Sequence, residues 1–388
     1  MEIIKRTNYW LETHWVTPAY SGWLLGIFGV CFFGAASNTM AGWLYVMSGV
    51  IFALLGLAAV LPRRSLRNLS VSRKPIVPVS VGDQLTIELA IENPTDKPKT
   101  LLQVWDVLQS KLGRPQQTPV EIITPQSVHH WLYFHPTHQR GIYHWHEVQL
   151  RTATPLGLFW CRRSWKAPAK AIVYPTVLPL TSCPLVDEIG TEDSVELQSN
   201  RRSHSTIENL TKSLRPYRLG DPTRLIHWRT SARYGELQVR ELEVFTGSQE
   251  VLICLDSSTS WHLEDFEAAV IAAASMYFYA FSRQLNVKLW TPKTGLLYGN
   301  QAVLEALAAT NAGEDAEVEQ PPYLPLIWLT QNRVSLNSLP PGSRWLLWSS
   351  TSIKKDSVHY KYLNYTGAGV VIDTAQSLHK QLQQPLSK

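Results

Sequence analysis

The chain has 388 residues, which is enough for two or three domains with hydrophobic cores of their own. Its net charge of +5, from 36 Lys and Arg against 31 Asp and Glu, comes without a dense basic patch and argues against nucleic-acid binding. The four cysteines are widely spaced without a Cys-x-x-Cys pair, which argues against a disulfide framework or a cysteine zinc site and favours a reducing compartment.

A stretch without any Asp, Glu, Lys or Arg runs from residue 13 to residue 62 and predicts a membrane anchor over residues 1–62. It contains two apolar runs, at about residues 18–36 and 43–61, separated by a short turn of small and polar residues. Each run would span about 28 Å as a helix, close to the hydrocarbon thickness of a bilayer. Aromatic side chains that favour the membrane interface stand near the ends of the runs: Trp15, Tyr20, Trp23, Trp43 and Tyr45.

Basic residues flank this hairpin only at its outer ends, with Lys5 and Arg6 before it and five Lys and Arg residues between positions 63 and 74. The positive-inside rule therefore predicts a multi-pass plasma-membrane protein with its soluble domains in the cytoplasm. A cleaved signal peptide is the alternative. It is disfavoured because a second apolar run follows directly, with no small-x-small cleavage site before a soluble start.

Residues 65–175 change to short alternating runs bounded by Pro, Gly and Asn, and predict an all-β sandwich. Residues 84–91 alternate most clearly, and further strands are expected at 101–107, 128–134, 142–150 and 171–174. His144 and His146 would share one strand face, as two metal ligands do. No carboxylate or cysteine stands at matching spacing, so surface or half-buried histidines are the expectation.

Residues 176–245 are interpreted as a linker followed by a signature segment, and residues 246–388 as an α/β domain. Residues 176–206 are rich in Ser, Thr, Pro and acids without apolar periodicity, which indicates a long connection. After residue 246, buried strands alternate with helices, which predicts a mostly parallel, doubly wound sheet.

Asp256, Ser258 and Ser260 follow the first strand of that sheet, where open α/β sheets bind ligands. One carboxylate and two hydroxyls are ligands suited to Mg²⁺ or Mn²⁺. The motif resembles the metal-ion-dependent adhesion site of von Willebrand factor type A domains, in which a Thr and an Asp from two further loops complete the metal shell. Here the fourth strand is followed by Thr-Gln-Asn at 330–332, and neither Thr291 nor Thr294 clearly takes the family's threonine position.

The sequence thus predicts an incomplete metal site of low affinity at Asp256, Ser258 and Ser260. The alternative is that these three residues only cap the following helix, as Asp and Ser commonly do.

Residues 215–243 form a longer constellation that predicts a short basic helix and a following strand. Asp221 is expected to cap the helix, Pro222 to take its first position, and Gly235 to end it in a left-handed turn. The strand is expected over residues 236–244.

This segment closely resembles the signature of the "domain of unknown function 58" family. The matching residues are Arg215, Tyr217, Gly220, Asp221, Arg224, Trp228, Ser231, Arg233, Gly235, Arg240, Glu241 and Glu243. Two upstream landmarks, at residues 154–159 and 173–175, also resemble that family, as does the order of hairpin, sandwich and α/β domain. The chain departs from the pattern at Pro216, Thr154 and His227.

The resemblance implies no established activity. It implies a protein-binding scaffold or adaptor that works with an AAA+ ATPase of the MoxR type. The signature's Arg and Glu side chains either pin the helix and strand onto a domain or form a partner surface. No P-loop, nucleophile elbow, zincin or dinucleotide-binding motif occurs, so no catalysis is expected. The alternative is a purely structural cell-envelope component with neither metal nor ATPase partner.

Overall fold

The structure, a computed structural model, describes residues 9–189, 211–216, 227–242, 250–317, 320–348 and 367–386. The chain divides into two compact units, Met1–Tyr174 and Pro175–Lys388. The first unit holds one hydrophobic core, and the second holds two, one on each face of its main sheet.

Two long apolar helices dominate the start of the first unit. A short helix α1 (residues 9–14) and a two-residue strand β1 (Thr17–Pro18) precede them. Helix α2 (Tyr20–Thr39) has 20 residues and helix α3 (Gly42–Ser65) has 24, so each is about 30 Å long or longer. Both are long and apolar enough to cross a bilayer, and most of their side chains are exposed.

Both helices continue beyond the apolar runs that predict them. Helix α2 includes Ser37 and Thr39, whose hydroxyls donate to the carbonyls of Phe33 and Ala35, one turn back along the helix. Helix α3 runs on through Pro62 to Ser65, which places two arginines in its last turn, where cations favour the negative end of the helix dipole.

Two β-sheets form the rest of the first unit. One has the order β1-β9-β8-β5-β6, with β3 also paired to β9, and the other has the order β2-β4-β7. Their inward side chains share one core, which is the packing of a β-sandwich. The strands are β2 (Ser70–Arg73), β3 (Val79–Ser80), β4 (Gln84–Asn93), β5 (Lys99–Val107), β6 (Gln116–Ile123), β7 (Ser127–Pro136), β8 (Gly141–Thr152) and β9 (Phe159–Tyr174).

Asp106 joins the two sheets through a buried polar network. Its carboxylate accepts two hydrogen bonds from Arg73, at 2.5 and 2.9 Å, and one each from the Tyr133 hydroxyl and the Trp145 indole. The Arg73 and Asp106 side chains are almost completely buried. These four hydrogen bonds come from side chains in the core. They offset the cost of removing the Asp106 carboxylate from water.

The first unit contains a direct junction between its sheets and helix α2. Thr17 and Pro18 pair with β9, and the Ala19 amide donates to the Leu158 carbonyl at 2.8 Å. The Ser21 hydroxyl then donates to the Gly157 carbonyl at 3.0 Å. Helix α2 therefore begins against the turn between β8 and β9, with no free linker between them.

A six-stranded sheet of order β14-β13-β12-β15-β16-β17 forms the centre of the second unit. All neighbouring pairs are parallel except β13 with β14. Its strands are β12 (Glu250–Leu255), β13 (Asn286–Thr291), β14 (Gly295–Leu297), β15 (Leu326–Thr330), β16 (Arg344–Trp348) and β17 (Gly369–Ile372).

Three helices accompany this sheet: α6 (Leu263–Ser282), α7 (Asn300–Ala309) and α8 (Leu378–Leu382). Helix α6 buries a face of alanines and aromatics against one side of the sheet, and a 3-10 turn (Val334–Ser338) contributes Leu336 to the core on the other side. Both faces of the sheet are covered, which explains its nearly continuous apolar strands.

Part of the predicted linker belongs to this core, so its interpretation as a connection is wrong for the residues that the structure describes. Cys183, Leu185, Val186 and Ile189 are buried around the short helix α4 (Pro184–Asp187). The Asp187 carboxylate accepts hydrogen bonds from the Tyr279 hydroxyl on α6. A four-residue helix is too short to produce an apolar period, which is why the sequence pattern does not reveal it.

Candidate functional site

Asp256 lies at the carboxyl end of β12, between the ends of β13 and β15. It is only 5% exposed. Its amide donates to the Leu329 carbonyl at 3.0 Å, and its own carbonyl accepts from the Trp261 indole at 2.7 Å. These two hydrogen bonds fix the loop after β12 at Asp256 and at Trp261.

Two hydroxyls donate to the Asp256 carboxylate. Ser258 reaches one oxygen at 3.1 Å, and Thr330, at the end of β15, reaches the other at 2.9 Å. Burial raises the pKa of the Asp256 carboxyl, and the hydrogen bonds from Thr330, Ser258 and Thr259 offset only part of this effect. Ser260 is exposed farther along the loop.

Thr330 is the residue of this site that sequence reasoning missed. Thr291 and Thr294, the threonines weighed from the sequence, share a hydrogen bond with each other at 2.7 Å. The available signal was topological: β15 is a parallel neighbour of β12, so the residue ending β15 must lie beside the residue following β12.

The alternative prediction, that the Asp256 loop caps the next helix, is wrong. Helix α6 begins at Leu263 with His262 at its N-cap, and no side chain caps it. Gln331 supports the start of the helix instead, because its amide oxygen accepts from the His262 amide and its amide nitrogen donates to Asp265.

The acidic segment at residues 311–317 packs against the same loop. The amides of Gly313 and Glu314 both donate to the Ser257 carbonyl, at 2.8 and 3.2 Å. The Glu314 side chain faces Lys293 across 3.6 Å, so its charge is already paired.

The side chains at Asp256 fit a divalent cation only in part. Asp256 supplies one carboxylate and Ser258 one neighbouring hydroxyl, whereas tight Mg²⁺ or Ca²⁺ sites use more than one charged oxygen ligand. Among the residues that the structure describes, no three His, Cys, Asp or Glu side chains group closely enough to hold a metal. That finding also covers the strand histidines His144 and His146, both of which are exposed on β8.

The signature segment contains a short helix, α5 (Trp228–Tyr234), and a hairpin of β10 (Thr211–Pro216) with β11 (Gln238–Leu242). His227 caps the helix: its Nδ1 accepts from the Thr230 amide at 3.2 Å. An imidazole nitrogen thus provides the cap acceptor where the family commonly has Asp. Asp221 and Pro222, predicted to begin the helix, lie outside the described residues.

Helix α5 ends as the sequence predicts, with Gly235 in the left-handed region at φ +70° and its amide donating to the Ser231 carbonyl. Ser231 is buried, and its hydroxyl connects α5 to β11. It donates to the His227 carbonyl at 3.0 Å and accepts from the Gln238 amide at 2.9 Å, which fixes the helix to β11.

The other signature side chains on α5 point outward. Trp228 is 65% exposed, and Arg229 and Arg233 are exposed on the same helix. Of the two alternatives for the signature's charged side chains, a pin that fixes the helix onto a domain does not fit Arg233, because its side chain is exposed. Among the signature residues on α5, Trp228 and Arg233 are at the surface and Ser231 is buried, and the neighbouring Arg229 is exposed as well.

The remaining signature positions lie on the hairpin or outside the described residues. In the backbone register, Arg215 pairs with Val239, Leu214 with Arg240, and Ser213 with Glu241. The structure does not describe Tyr217, Gly220, Asp221, Arg224 or Glu243.

A curated protein from a bacterium is similar in sequence to about a third of this chain. The "Uncharacterized protein YeaD" of Bacillus subtilis (strain 168) is 30% identical over 137 residues, which are 35% of this chain and 32% of that protein. The chain therefore aligns with about a third of the length of this curated relative.

Solved structures resemble the chain only weakly. The CARDB domain of PF1109 from Pyrococcus furiosus is 12% identical, with a TM-score of 0.20 over 27% of this chain and 94% of that chain. A beta-glucosidase from Listeria innocua is 13% identical, with a TM-score of 0.18 over 29% of this chain and 17% of that chain. Likeness at these scores supports no inference. Residues 213–300 match the model of the family described as "Protein of unknown function DUF58", and they include α5, β11, most of β10 and the Asp256 loop.

Proposed function

We propose that the chain is a membrane-anchored scaffold that binds a protein partner on the cytoplasmic side through the exposed face of α5. The observation that carries this proposal is the exposure of Trp228 beside Arg229 and Arg233, inside the stretch that matches the DUF58 family. Trp and Arg are the residue types that most often dominate the binding energy of protein interfaces. Within the described part of the chain, packing does not explain why this signature position holds so large an aromatic side chain, since most of it is exposed.

The partner proposed is an AAA+ ATPase of the MoxR type, on the strength of the resemblance to the DUF58 family. Two arginines beside a tryptophan favour a partner surface that carries carboxylates, because guanidinium groups bind them in paired geometry. The proposal includes no catalytic step. The competing function is a purely structural envelope component, for which the exposed α5 face would have no partner.

The membrane anchor of this proposal consists of α2 and α3, with both ends of the hairpin in the cytoplasm. Arg63 and Arg64 stand in the last turn of α3, and the turn between the helices carries no charge. The Arg63 guanidinium lies over the Trp15 ring at 5.2 Å, which pairs a cation and an interfacial aromatic where the hairpin enters and leaves the bilayer.

The second unit is proposed to be a von Willebrand factor type A-like domain. Its parallel strands, with Asp256 after β12 and Thr330 after β15, support this proposal. A carboxylate from a bound partner would complete the ligand set that Asp256 and Ser258 begin, and Mg²⁺ or Mn²⁺ would then bind in the complex rather than in the free chain.

Affinity capture tests the partner. The full chain is tagged, solubilised in detergent and used to capture proteins that are then identified by mass spectrometry, as wild type, Trp228→Ala and Tyr298→Ala. Tyr298 is a matched control, since it is an aromatic side chain of the same unit and 77% exposed. We expect wild type and Tyr298→Ala to recover the AAA+ ATPase and Trp228→Ala to lose it. Equal recovery by all three variants would rule out the α5 face as the binding surface.

A further inference from the structure

A groove of about 460 Å³ opens on the first unit between the β5–β6 edge and the turn that joins β8 to β9. Its lining is mostly apolar and includes Leu101, Val120, Pro155, Leu156 and Trp160. The volume falls within the range of sites that bind small organic ligands, which are also lined mainly by apolar side chains.

The rim of this groove exposes apolar side chains to its surroundings. Leu101 is 66% exposed and Leu156 is 41% exposed. Of the polar lining residues, Thr154 already shares hydrogen bonds with the Thr152 hydroxyl and the Thr100 carbonyl. Its hydroxyl is therefore already paired. Gln103 and Glu121 also line the groove, but most of its lining is apolar, so burial of apolar surface is the main interaction that it provides.

The turn that lines the groove is the same turn that holds the first residues of α2. Gly157 and Leu158 accept hydrogen bonds from Ser21 and Ala19, while Pro155 and Leu156, immediately before them, line the groove. The groove thus lies within one turn of chain from the start of an apolar helix long enough to span a bilayer.

Exposed aromatic side chains cluster around that start. Trp15, Tyr20 and Trp23 are all mostly exposed, and each is within five residues of Ala19. Tryptophan and tyrosine favour the level of the lipid headgroups, so this end of the sandwich and the mouth of the groove lie at that level when α2 spans the membrane.

We propose that the groove binds an acyl chain of a membrane phospholipid, an inference that rests on the proposed membrane anchor. Lipid is the occupant because its chains are the most concentrated apolar ligand at the height of the Leu156 turn. The turn that lines the groove also holds the first residues of α2, so the groove lies next to the start of that helix. An acyl chain in the groove would cover its exposed apolar lining. The bound chain would hold the sandwich against the bilayer surface.

Photo-crosslinking tests this assignment with the full chain reconstituted in phospholipid vesicles. A small fraction of the lipid carries a diazirine near the end of one acyl chain, and labelled peptides are mapped by mass spectrometry after illumination. Ala153→Phe fills the groove with a ring, since Ala153 is one of its half-buried lining residues. Ala90→Phe is the matched control, because Ala90 is half-buried in β4 of the other sheet.

We expect labelled peptides from the groove in wild type and Ala90→Phe, and loss of that labelling in Ala153→Phe, with labelling of α2 and α3 unchanged in all three. Leu156→Ser, at an exposed rim position that does not threaten folding, provides a second variant in which the labelling should fall. Labels confined to α2 and α3 in the wild type would overturn the groove assignment while leaving the anchor intact. Extraction of the wild-type chain from membranes by alkaline carbonate would instead overturn the anchor, and the groove assignment with it.

Discussion

Trp228 and Ser231 lie three residues apart on α5, yet their substitution should change the stability of the protein by very different amounts. Trp228 is mostly exposed, so Trp228→Ala should change the free energy of unfolding by no more than about 0.5 kcal/mol. Ser231 is buried, and its hydroxyl joins His227 to Gln238. Ser231→Ala removes the acceptor of the half-buried Gln238 amide, which should cost about 1–3 kcal/mol, whereas the His227 carbonyl keeps its bonds from the Thr230 and Ser231 amides.

Denaturant unfolding of both variants, with the full chain in detergent, measures the two costs. A large loss of stability in Trp228→Ala would mean that the indole is buried in solution, and the partner-surface proposal would then lose its main support.

The stability that depends on Asp256 should fall as the pH rises. Burial raises the pKa of this carboxyl above its ordinary value of 3.8, so the folded protein holds the proton more tightly than the unfolded chain does. The free energy of unfolding therefore decreases as the pH rises from about 3.8 through the folded-state pKa, and is constant above it. Asp256→Asn has no such proton to lose.

Urea unfolding of wild type and Asp256→Asn at a series of pH values checks this dependence. The difference between the two proteins should move in favour of the asparagine variant across that interval. A difference that stays constant with pH would show that Asp256 has the same pKa in both states.

Metal binding at the Asp256 loop should be weak in the free chain. One carboxylate offsets only part of the cost of dehydrating Mg²⁺ or Mn²⁺, and Thr330 and Ser258 already donate to its two oxygens. Calorimetric titration of the full chain in detergent should show no binding tighter than about millimolar, with Asp256→Ala as the control. Submillimolar binding that Asp256→Ala abolishes would mean that a second carboxylate reaches the loop.

The sequence predicted the residue types of this site better than their contacts. Ser258 contacts Asp256 because the two residues lie two positions apart in one loop, whereas Ser260 is exposed farther along it. Metal binding by these residues stays a prediction. Thr330 lies on a different strand, and only the strand order brings it to Asp256. The sequence also could not predict that Trp228 on α5 is exposed, since a Trp between basic residues is found in buried contacts as well as in surface patches.

Among the elements, the contact between α2 and the β8–β9 turn depends on the absence of a side chain at Gly22. A Cβ atom added there would overlap the carbonyl oxygen of Leu158, whereas one added at Gly34 in the same helix would meet nothing within 4 Å. Gly22→Ala should therefore destabilise the junction by about 1–3 kcal/mol through overpacking, and Gly34→Ala should not.

Hydrogen exchange at the Ala19 amide reports on this contact with the β8–β9 turn. We expect faster exchange at the Ala19 amide, which donates to Leu158, in Gly22→Ala than in Gly34→Ala or wild type. Equal protection in all three proteins would show that the turn moves aside at little cost.

Elements with a long, regular pattern were predictable, and short or irregular ones were not. The clean alternation of β4 follows from its four inward apolar side chains, all completely buried. Strand β6 was missed because Pro119 and several polar residues interrupt its pattern, which its place at the edge of the sheet tolerates. Helix α4 was missed because it has only one turn.

For the molecule as a whole, the charge distribution around the hairpin predicts the side of the membrane on which the soluble units lie. A reporter that is active only outside the cytoplasm, fused after Lys388, should be silent. A reporter that is active only in the cytoplasm, fused at the same position, should be active. The physical reason is the cost of moving the basic cluster that follows α3 across the bilayer. The opposite pair of activities would reverse the topology.

Because no linker separates β1 from α2, a tilt of the helix is passed on to the sandwich. A helix whose apolar length exceeds the local bilayer thickness tilts to bury it. Strand β1 pairs with β9 immediately before α2 begins, so the sandwich has no hinge through which to remain upright while α2 leans. In a bilayer, the sandwich would then rotate together with α2 when the membrane thickness changes. A small change in the tilt of α2 would displace the far end of the sheets.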